Sequence, residues 1–297
     1  MKNDGFRVGV SLAEQIRQRL KDLSPAERRV ARILVSGPPT AGLESSARLA
    51  RRAGVSGPTV SRFVARLGYG NYADFQRVLH DELDARVISP LELYKRHRDD
   101  DPPDTLLAGS AEAYENAIRM TVENLNVADF NRATELLADE RRHLTVIGGI
   151  YSHLLAACLA TALREIRPHV RLVAPMSSER AVAVADATRK DVAVIFDFRR
   201  YESETLEAAR ALQQLGAAVI LLTDPWLSPL AAVADAVLVA QVNVSSPFDS
   251  LTPALAVVEM LVASVSDRLG DRGRGRFEKL TDLTAHWIRL WPDPAEQ

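Results

Sequence analysis

Five short apolar runs, separated by alanine-rich stretches, constrain the fold of the second half of this chain. They are HLTVIGG (143–149), HVRLVA (169–174), DVAVIFDF (191–198), AAVILLT (217–223) and DAVLVA (235–240). Each run is apolar at consecutive positions, as in a strand whose sheet is covered on both faces. Because helical stretches separate the runs, the pattern predicts an α/β domain with a doubly wound, five-stranded parallel sheet.

Polar residues follow these runs, at the edge of the sheet where ligands bind. In an open parallel sheet, ligands collect beyond the carboxyl ends of the strands. Candidate binding residues at these ends are Gly148, Ser152, Ser177, Asp197, Arg199 and Arg200. Hydroxyls and backbone amides at helix starts suit a phosphate or a carboxylate, so we expect this edge to bind a small anionic molecule.

The stretch ESSARLARRAGVSGPTVSRFVARLG (44–68) contains five arginines and predicts two short helices joined by a tight turn. The first helix covers about Ser46 to Ala53, and Gly54 supplies the positive φ of a sharp helix end. In the second helix, apolar residues recur at the spacing of one buried face. These residues are Val60, Phe63, Val64 and Leu67.

The outer face of the second helix is polar and basic, with Thr59, Arg62 and Arg66. This arrangement is typical of a helix-turn-helix, whose second helix enters the major groove of DNA. The charge distribution agrees, because residues 1–80 contain 14 Lys/Arg against 6 Asp/Glu, whereas residues 81–297 contain 23 against 33. The alternative is a small helical bundle whose arginines only solvate its surface.

The segment SPAERRVARILVSG (24–37) predicts a helix that precedes the basic stretch. Ser24 is a possible N-cap, Pro25 suits the first turn, and Glu27 stands three residues after the cap, as in a capping box. An apolar stripe follows at helical spacing, and we expect it to be buried.

Several blocks together resemble a known family. LSPAERRVARILVSGP, the helix-turn-helix and LGYGNYADFQ are similar to the N-terminal domain of RpiR/MurR-type bacterial transcriptional regulators, over about residues 11–85. LGAAVILLTDPWLSPLAAVADAVL resembles the sugar isomerase (SIS) domain that follows in these regulators. The resemblance implies an all-α helix-turn-helix domain that binds double-stranded operator DNA, followed by a SIS-like domain that senses a small effector, usually a phosphorylated sugar.

The resemblance also implies which residues contact DNA. In such regulators the second helix reads the operator, and phosphate contacts position the protein without specifying a sequence. The candidates for base or phosphate contacts are Ser56, Thr59, Ser61, Arg62 and Arg66. The candidates for phosphate contacts are Arg48, Arg51 and Arg52.

The loops that grip a phosphate in this family are altered in this chain. The family has a Gly-x-Gly-x-Ser loop after the first strand; Gly148 and Ser152 are kept, but Ile150 replaces the second glycine. The family also has a Ser-x-Ser-Gly-x-Thr loop after the third strand. The two serines, the glycine and the threonine of that loop are replaced by Asp197, Arg199, Arg200 and Glu202.

Two interpretations of these replacements remain open. In the first, Arg199 and Arg200 hold an anion bidentately beside the serine of the first loop, while Asp197 meets a hydroxyl or an amine of the same ligand. In the second, Glu202 and Glu204 pair with these arginines in an internal or intersubunit ion-pair cluster that fills the cleft and leaves no effector site. Because the acidic pair would repel a phosphate, we expect an effector of modest charge or in a shifted position.

A charged, proline-bearing stretch, KRHRDDDPPDT (95–105), divides the chain. It has no apolar period and is therefore interpreted as a linker. We expect a helix-turn-helix DNA-binding domain over residues 1–90, a linker over 91–110 and a SIS-like effector-sensing domain over 111–297. Binding to a pseudo-palindromic operator predicts a homodimer or a homotetramer.

The sequence argues against several classes of protein. It has neither an apolar run long enough to cross a bilayer nor the apolar stretch of a secretory signal, so we expect a cytoplasmic protein without membrane contact. The single cysteine, Cys158, excludes an intrachain disulfide and a multi-cysteine metal site, and we expect its thiol to be buried. No cofactor and no metal ion is predicted.

The alternative function is that of a phosphosugar isomerase or etherase, since many proteins with the resembled fold are enzymes. Such chemistry needs an acid-base pair poised over the reacting carbons of the sugar. Glu179, Glu259 and His153 are the available groups, but none belongs to a recognisable catalytic motif. The helix-turn-helix and the altered loops favour a regulator without catalytic residues.

Overall fold

The computed structural model describes residues 12–36, 42–87, 106–244, 246 and 248–285. The predicted linker stretch at 95–105 lies outside these ranges. The first part of the described chain is helical. Its α-helices are α1 (Leu12–Arg19), α2 (Pro25–Ser36), α3 (Ser46–Ala53), α4 (Gly57–Arg66) and α5 (Tyr72–Val87).

The predicted capping box at the start of α2 is confirmed. The backbone N–H of Ser24 donates to the Glu27 carboxylate at 2.8 Å, and the N–H of Glu27 donates to Ser24 Oγ at 3.3 Å. Glu27 is only 3% exposed and forms an ion pair with Arg66 Nε at 3.3 Å. The Glu27 carboxylate therefore caps the N-terminus of α2 and also joins this helix to the end of α4 through the ion pair.

The helix-turn-helix forms as the pattern predicts. Gly54 ends α3 in the left-handed conformation, with φ 59° and ψ 41°, and its N–H bonds back to carbonyls of the last turn. Apolar side chains from α2, α3 and α4 then share one core with α1 and α5. Leu49 and Phe63 are completely buried in this core, so the two short helices are held by packing on each other and on α2.

The predicted five-stranded parallel sheet is also confirmed, with the strand order β2-β1-β3-β4-β5. Its strands are β1 (His143–Gly148), β2 (Val170–Val173), β3 (Asp191–Asp197), β4 (Ala218–Thr223) and β5 (Ala236–Val239). The helices of this part are α6 (Leu106–Asn124), α7 (Val127–Ala138), α8 (His153–Ile166), α9 (Ser177–Ala185), α10 (Ser203–Gln214), α11 (Thr252–Leu269) and α12 (Asp271–Thr284).

Alternate residues of each strand pack into two separate cores. In β3, Val194 and Phe196 face a layer that includes α7, α8 and α11, whereas Ala193 and Ile195 face a layer formed by α9 and α10. All four side chains are completely buried. Helices on both faces therefore explain why the strands are apolar at consecutive positions, and they bring every strand's carboxyl end to one edge.

One expectation about the surface is wrong. Cys158, expected to be a buried thiol, is exposed on α8, because the buried stripe of that helix passes through its neighbour Leu159 instead. A second expectation concerned membranes. In the described ranges, none of the helices combines the length and the apolar character that crossing a bilayer requires.

We predict that Glu27→Ala loosens the helix-turn-helix. The substitution removes the capping bonds of α2 and leaves Arg66 without its ion pair, which we expect to lower the local opening free energy by about 1–2 kcal/mol. Hydrogen exchange of the α2 and α4 amides in the full chain measures this change. Arg32→Ala, an exposed position on the same helix, is the control; equal protection in both variants would contradict the prediction.

Candidate functional sites

The outer sides of α3 and α4 carry most of the residues predicted to contact DNA. Seven of the eight are exposed: Arg48, Arg51, Arg52, Ser56, Ser61, Arg62 and Arg66. The one-sided basic surface therefore exists on the folded helix-turn-helix. It faces away from the apolar core that α3 and α4 share.

The prediction that Thr59 lies on the outer face is wrong. Thr59 is only 6% exposed, because it lies in the first turn of α4 where the chain folds back against α3. Its hydroxyl lies 2.9 Å from Ser56 Oγ and accepts a long hydrogen bond from Arg62 Nη2 at 3.5 Å. Ser56 occupies the N-cap position but makes no side-chain capping bond, since its hydroxyl meets Thr59 instead. Thr59 therefore orients two candidate contacts.

The arginines of this surface differ in how far their charge is already paired. Arg52 forms an ion pair with Glu44 at 2.8 Å, with Arg48 more distant from the same carboxylate at 3.7 Å. Arg66 pairs with Glu27 and also donates to the carbonyl of Asp22, which lies between α1 and α2. In the part of the chain that the structure describes, Arg51 and Arg62 form no ion pair, so their charges are the most available to DNA.

The first loop of the sheet edge follows β1 and is tied to β3. Ser152 Oγ donates to the carbonyl of Phe196 at 2.8 Å and accepts from the N–H of Gly149 at 2.9 Å. Gly148 ends β1 where a Cβ would lie 2.7 Å from the backbone of His153. The two residues that this loop shares with the family pattern are thus required by the local packing itself.

A buried arginine organises the cleft between this loop and β3. The side chain of Arg180, on α9, is only 5% exposed and forms ion pairs of 3.0 Å with both Glu202 and Glu204. Ser177 Oγ also donates to Glu204, at 2.9 Å. Glu202 additionally accepts from the N–H of Ile150 at 2.8 Å. The predicted acidic cluster forms, but its cation is Arg180.

Arg199 was expected to pair with those glutamates or to hold an anion, and the structure directs it elsewhere. Its side chain is only 3% exposed, lies 3.3 Å from Asp249 and donates to Asn243 Oδ1 at 2.9 Å. The guanidinium also stacks on Trp226, 4.2 Å from the ring centroid. Arg199 therefore joins the loops that follow β3, β4 and β5.

Arg200 is the exposed arginine of this loop and stands where the family has glycine. Its φ of 80° is the left-handed conformation that glycine adopts without strain. The backbone has thus kept the turn although the residue has changed. This turn separates Arg199, which points to the β4 and β5 loops, from Glu202, which points to the β1 loop.

Two buried carboxyl groups lie beneath the cleft. Burial raises the pKa of Asp197 to about 7, although the hydroxyl of Ser228 donates a hydrogen bond to it. Burial likewise raises the pKa of Asp224 to about 6, against a 2.7 Å hydrogen bond from the Tyr201 hydroxyl. Asp197 is 3% exposed, so it supports the loops from below rather than offering its carboxylate to a ligand.

Sequence reasoning missed Arg180, the residue that organises the cleft. A signal was present, because Arg180 stands one helical turn before Ala183 on the buried side of a short alanine- and valine-rich helix. A charged residue on such a face needs partners of opposite charge. The pattern alone does not say which acidic residues provide them.

We predict that Asp197→Asn makes stability less dependent on pH. The folded-state pKa lies above the ordinary value of 3.8, so the unfolded chain ionises first and stability falls as pH rises from about 4 to about 7. The neutral amide removes this contribution, on the order of a few kcal/mol. Urea unfolding across this pH range measures the slope, with the exposed Glu179→Gln as control. An unchanged slope would contradict the assignment.

Comparison with known proteins finds a matching family for each of the two parts of the chain. Residues 10–86 match the family model described as a helix-turn-helix domain of the rpiR family, and residues 136–264 match that of the SIS domain. The HTH-type transcriptional regulator HexR of Pseudomonas aeruginosa is 28% identical over 272 residues, covering 88% of this chain and 90% of that protein.

Two further similarities are more limited. The bifunctional protein glk of Paraburkholderia xenovorans is 35% identical over 132 residues, which cover 43% of this chain and 20% of that protein. The solved structure of the Vibrio vulnificus NanR protein, complexed with ManNAc-6P, covers 94% of this chain and 100% of its own at a TM-score of 0.55. At 18% identity this likeness shows a shared fold.

The family models match the two parts of the chain in the predicted order and together span more than half of it. The HexR relative that covers 88% of the chain is itself named as a transcriptional regulator. The chain therefore belongs to the RpiR-type transcriptional regulators, with a helix-turn-helix domain followed by a SIS domain.

Proposed function

We propose that this regulator binds operator DNA through the exposed face of α3 and α4, and that a small anionic metabolite bound at the sheet edge changes its affinity for DNA. The observation that carries the first part is the exposed position of Arg62 on a helix-turn-helix, where its guanidinium forms no ion pair with any of the described residues. The second part is supported by the polar groups that converge at the carboxyl ends of β1 and β3. It also agrees with NanR, whose solved structure contains a phosphorylated sugar.

In the proposed complex, the first turns of α4 face the major groove. Ser56, Ser61 and Arg62 are exposed there, so they contact base edges or phosphates. The arginines of α3, with Arg66 at the far end of α4, contact phosphates and position the unit. Thr59 acts indirectly, by holding the Arg62 guanidinium and the Ser56 hydroxyl.

The effector contacts proposed from the structure differ from residue to residue. Arg200 is exposed on the loop after β3 and is the arginine of that loop most available to an anion. Arg199 contributes only after leaving Asp249 and Trp226, and Ser177 only after leaving Glu204. Gly148, Ser152 and Asp197 are proposed to maintain the shape of the cleft without contacting the effector. Ser152 and Asp197 are hydrogen-bonded within the loops, and Gly148 packs against the backbone of His153. The effector class that fits these donors best is a sugar phosphate or a related small anion.

The two activities are proposed to be coupled through an oligomer. A homodimer or homotetramer places two helix-turn-helix units on half-sites one helical turn apart, about 34 Å. The proposed domains cover residues 1–90 and 111–297, with a linker over 91–110 whose last five residues form the start of α6. A ten-fold change in affinity needs only about 1.4 kcal/mol of coupling, so a small change in the placement of the units is sufficient.

We also propose that the SIS domain senses its ligand without transforming it, in the cytoplasm where the DNA lies. Of the three groups considered for acid-base chemistry, Glu179 and Glu259 are exposed on separate helices, and His153 is half-buried at the start of α8. The carboxylates that do reach the cleft are held by Arg180. The partial similarity to glk concerns a fifth of that protein and does not by itself favour an enzyme. Turnover of phosphosugars by the purified chain would refute this proposal.

We predict that Arg62→Ala weakens specific operator binding by about 1–3 kcal/mol without unfolding the chain. The substitution removes an exposed side chain and leaves the helix core intact. A mobility-shift titration with DNA from the region upstream of its own gene measures the change. Arg77→Ala, an exposed arginine on α5 outside the helix-turn-helix, is the matched control. Equal affinities for the two variants would remove α4 as the recognition helix.

A second prediction tests the effector. Operator affinity of the unmodified chain, titrated with a panel of sugar phosphates and small organic acids at fixed salt, should change with one class of compound. Arg200→Ala should bind DNA normally but respond to that compound at least about ten-fold more weakly, because it loses the exposed cation of the loop after β3. Arg210→Ala, an exposed position on α10, is the control. A full response from Arg200→Ala would exclude this residue as an effector contact.

A further inference from the structure

The side chain of Glu202 has an unusual position for the residue that precedes a helix. Glu202 is the N-cap residue of α10 but makes no capping bond to the backbone of that helix. Its carboxylate instead crosses to the loop after β1, where Oε1 accepts from the N–H of Ile150 at 2.8 Å. Oε2 lies 3.0 Å from Arg180 Nη2. One carboxylate thus takes both a backbone donor and a guanidinium.

The loop after β1 is shaped around this carboxylate. A Cβ on Gly149 would lie only 2.6 Å from Glu202 Oε1, so the carboxylate occupies the space that a side chain would need. The two carboxylate oxygens of Glu202 therefore fill a cradle made of the Ile150 N–H and the Arg180 guanidinium. Backbone amides and a guanidinium are the donors that bind carboxylates and phosphates most strongly.

The cradle has a buried, permanent positive charge. The Arg180 side chain is 5% exposed, whereas those of Glu202 and Glu204 are 36% and 56% exposed. Arg180 Nε is buried and has no hydrogen-bond partner among the described residues. The Arg180 guanidinium is therefore held in place with one N–H group still able to donate. Its partners Glu202 and Glu204 lie nearer the surface, where their side chains can rotate into solvent.

We propose that Glu202 is a tethered anion that occupies the anion cradle, and that the charged group of an effector binds there by displacing it. This inference rests on the proposed effector function of the cleft. A tethered carboxylate competes at a local concentration in the millimolar range or above, so a free monocarboxylate with the same donors replaces it only above that concentration. A dianionic phosphate monoester can, since it brings more charge and three acceptor oxygens to Arg180.

The test is the binding of inorganic phosphate to the full chain, measured by titration calorimetry. If the cradle is free in about a tenth of the molecules, Glu202→Ala binds phosphate about ten-fold more tightly than the unmodified chain. Glu202→Gln, which has the same shape without the charge, should show a smaller gain. Glu204→Ala is the matched control, because it also removes a partner of Arg180 but leaves the Ile150 N–H occupied.

Three outcomes decide the proposal. A gain in Glu202→Ala that is lost again in the double variant Glu202→Ala/Arg180→Gln supports it. Equal affinity of Glu202→Ala and the unmodified chain overturns it, and so does an equal gain in Glu204→Ala. Melting of each variant checks folding, and Glu202→Gln keeps the test valid if the alanine variant does not fold.

The calorimetry needs no DNA, so the two proposals fail separately. If phosphate binds Glu202→Ala more tightly but operator affinity responds to no compound of the panel, the cradle binds anions as inferred and the proposed control of DNA binding by an effector is wrong.

Discussion

The buried guanidinium of Arg180 is the constraint on which the cleft of the SIS domain depends. A charge in that position is destabilising by several kcal/mol unless it is paired, and removal of one partner of a buried ion pair is strongly destabilising. The start of α10 supplies both partners, Glu202 and Glu204. The arrangement links α9, α10 and the loop after β1, so the shape of the cleft follows from neutralising one internal charge.

A second buried arginine, Arg199 in the loop after β3, also needs partners for its charge. Arg199 is as deeply buried as Arg180, and its charge is met by Asp249, Asn243 and the face of Trp226. Because the backbone turns at Arg200, Arg199 before the turn and Glu202 after it point in different directions. One short loop therefore contributes to the ion pairs of Arg199 and to those of Arg180. The loops after β1, β3, β4 and β5 are therefore joined through two buried cations, Arg180 and Arg199.

The sequence predicted the elements well because their signals are local. Strands covered on both faces are apolar at consecutive positions, and the turn after α3 needs the positive φ that Gly54 adopts. For the candidate site, the sequence predicted its location at the sheet edge but not which side chains pair there. Which arginine meets Glu202 depends on contacts between residues more than twenty positions apart, and neither periodicity nor spacing specifies those.

The burial of Thr59 was missed for a related reason. Periodicity places it at the border between the two faces of α4, and only the close approach of the chain before α4 decides that it is covered. Border positions of a short helix depend on the packing of their neighbours, which a single helical pattern does not contain. The error concerns one residue of the proposed DNA-binding surface and leaves its other members exposed.

The internal bonds of the helix-turn-helix limit how an effector can act on DNA binding. Glu27 joins the start of α2 to Arg66 at the end of α4, and Arg19 of α1 donates to the carbonyl of Arg66. Because α1, α2 and α4 are joined at one point over a closely packed core, reshaping α4 alone would break several bonds together. In the proposed mechanism, a signal from the sheet edge is therefore more easily transmitted by moving the whole helix-turn-helix than by altering α4. This favours control through the spacing of two intact helix-turn-helix units in the proposed oligomer.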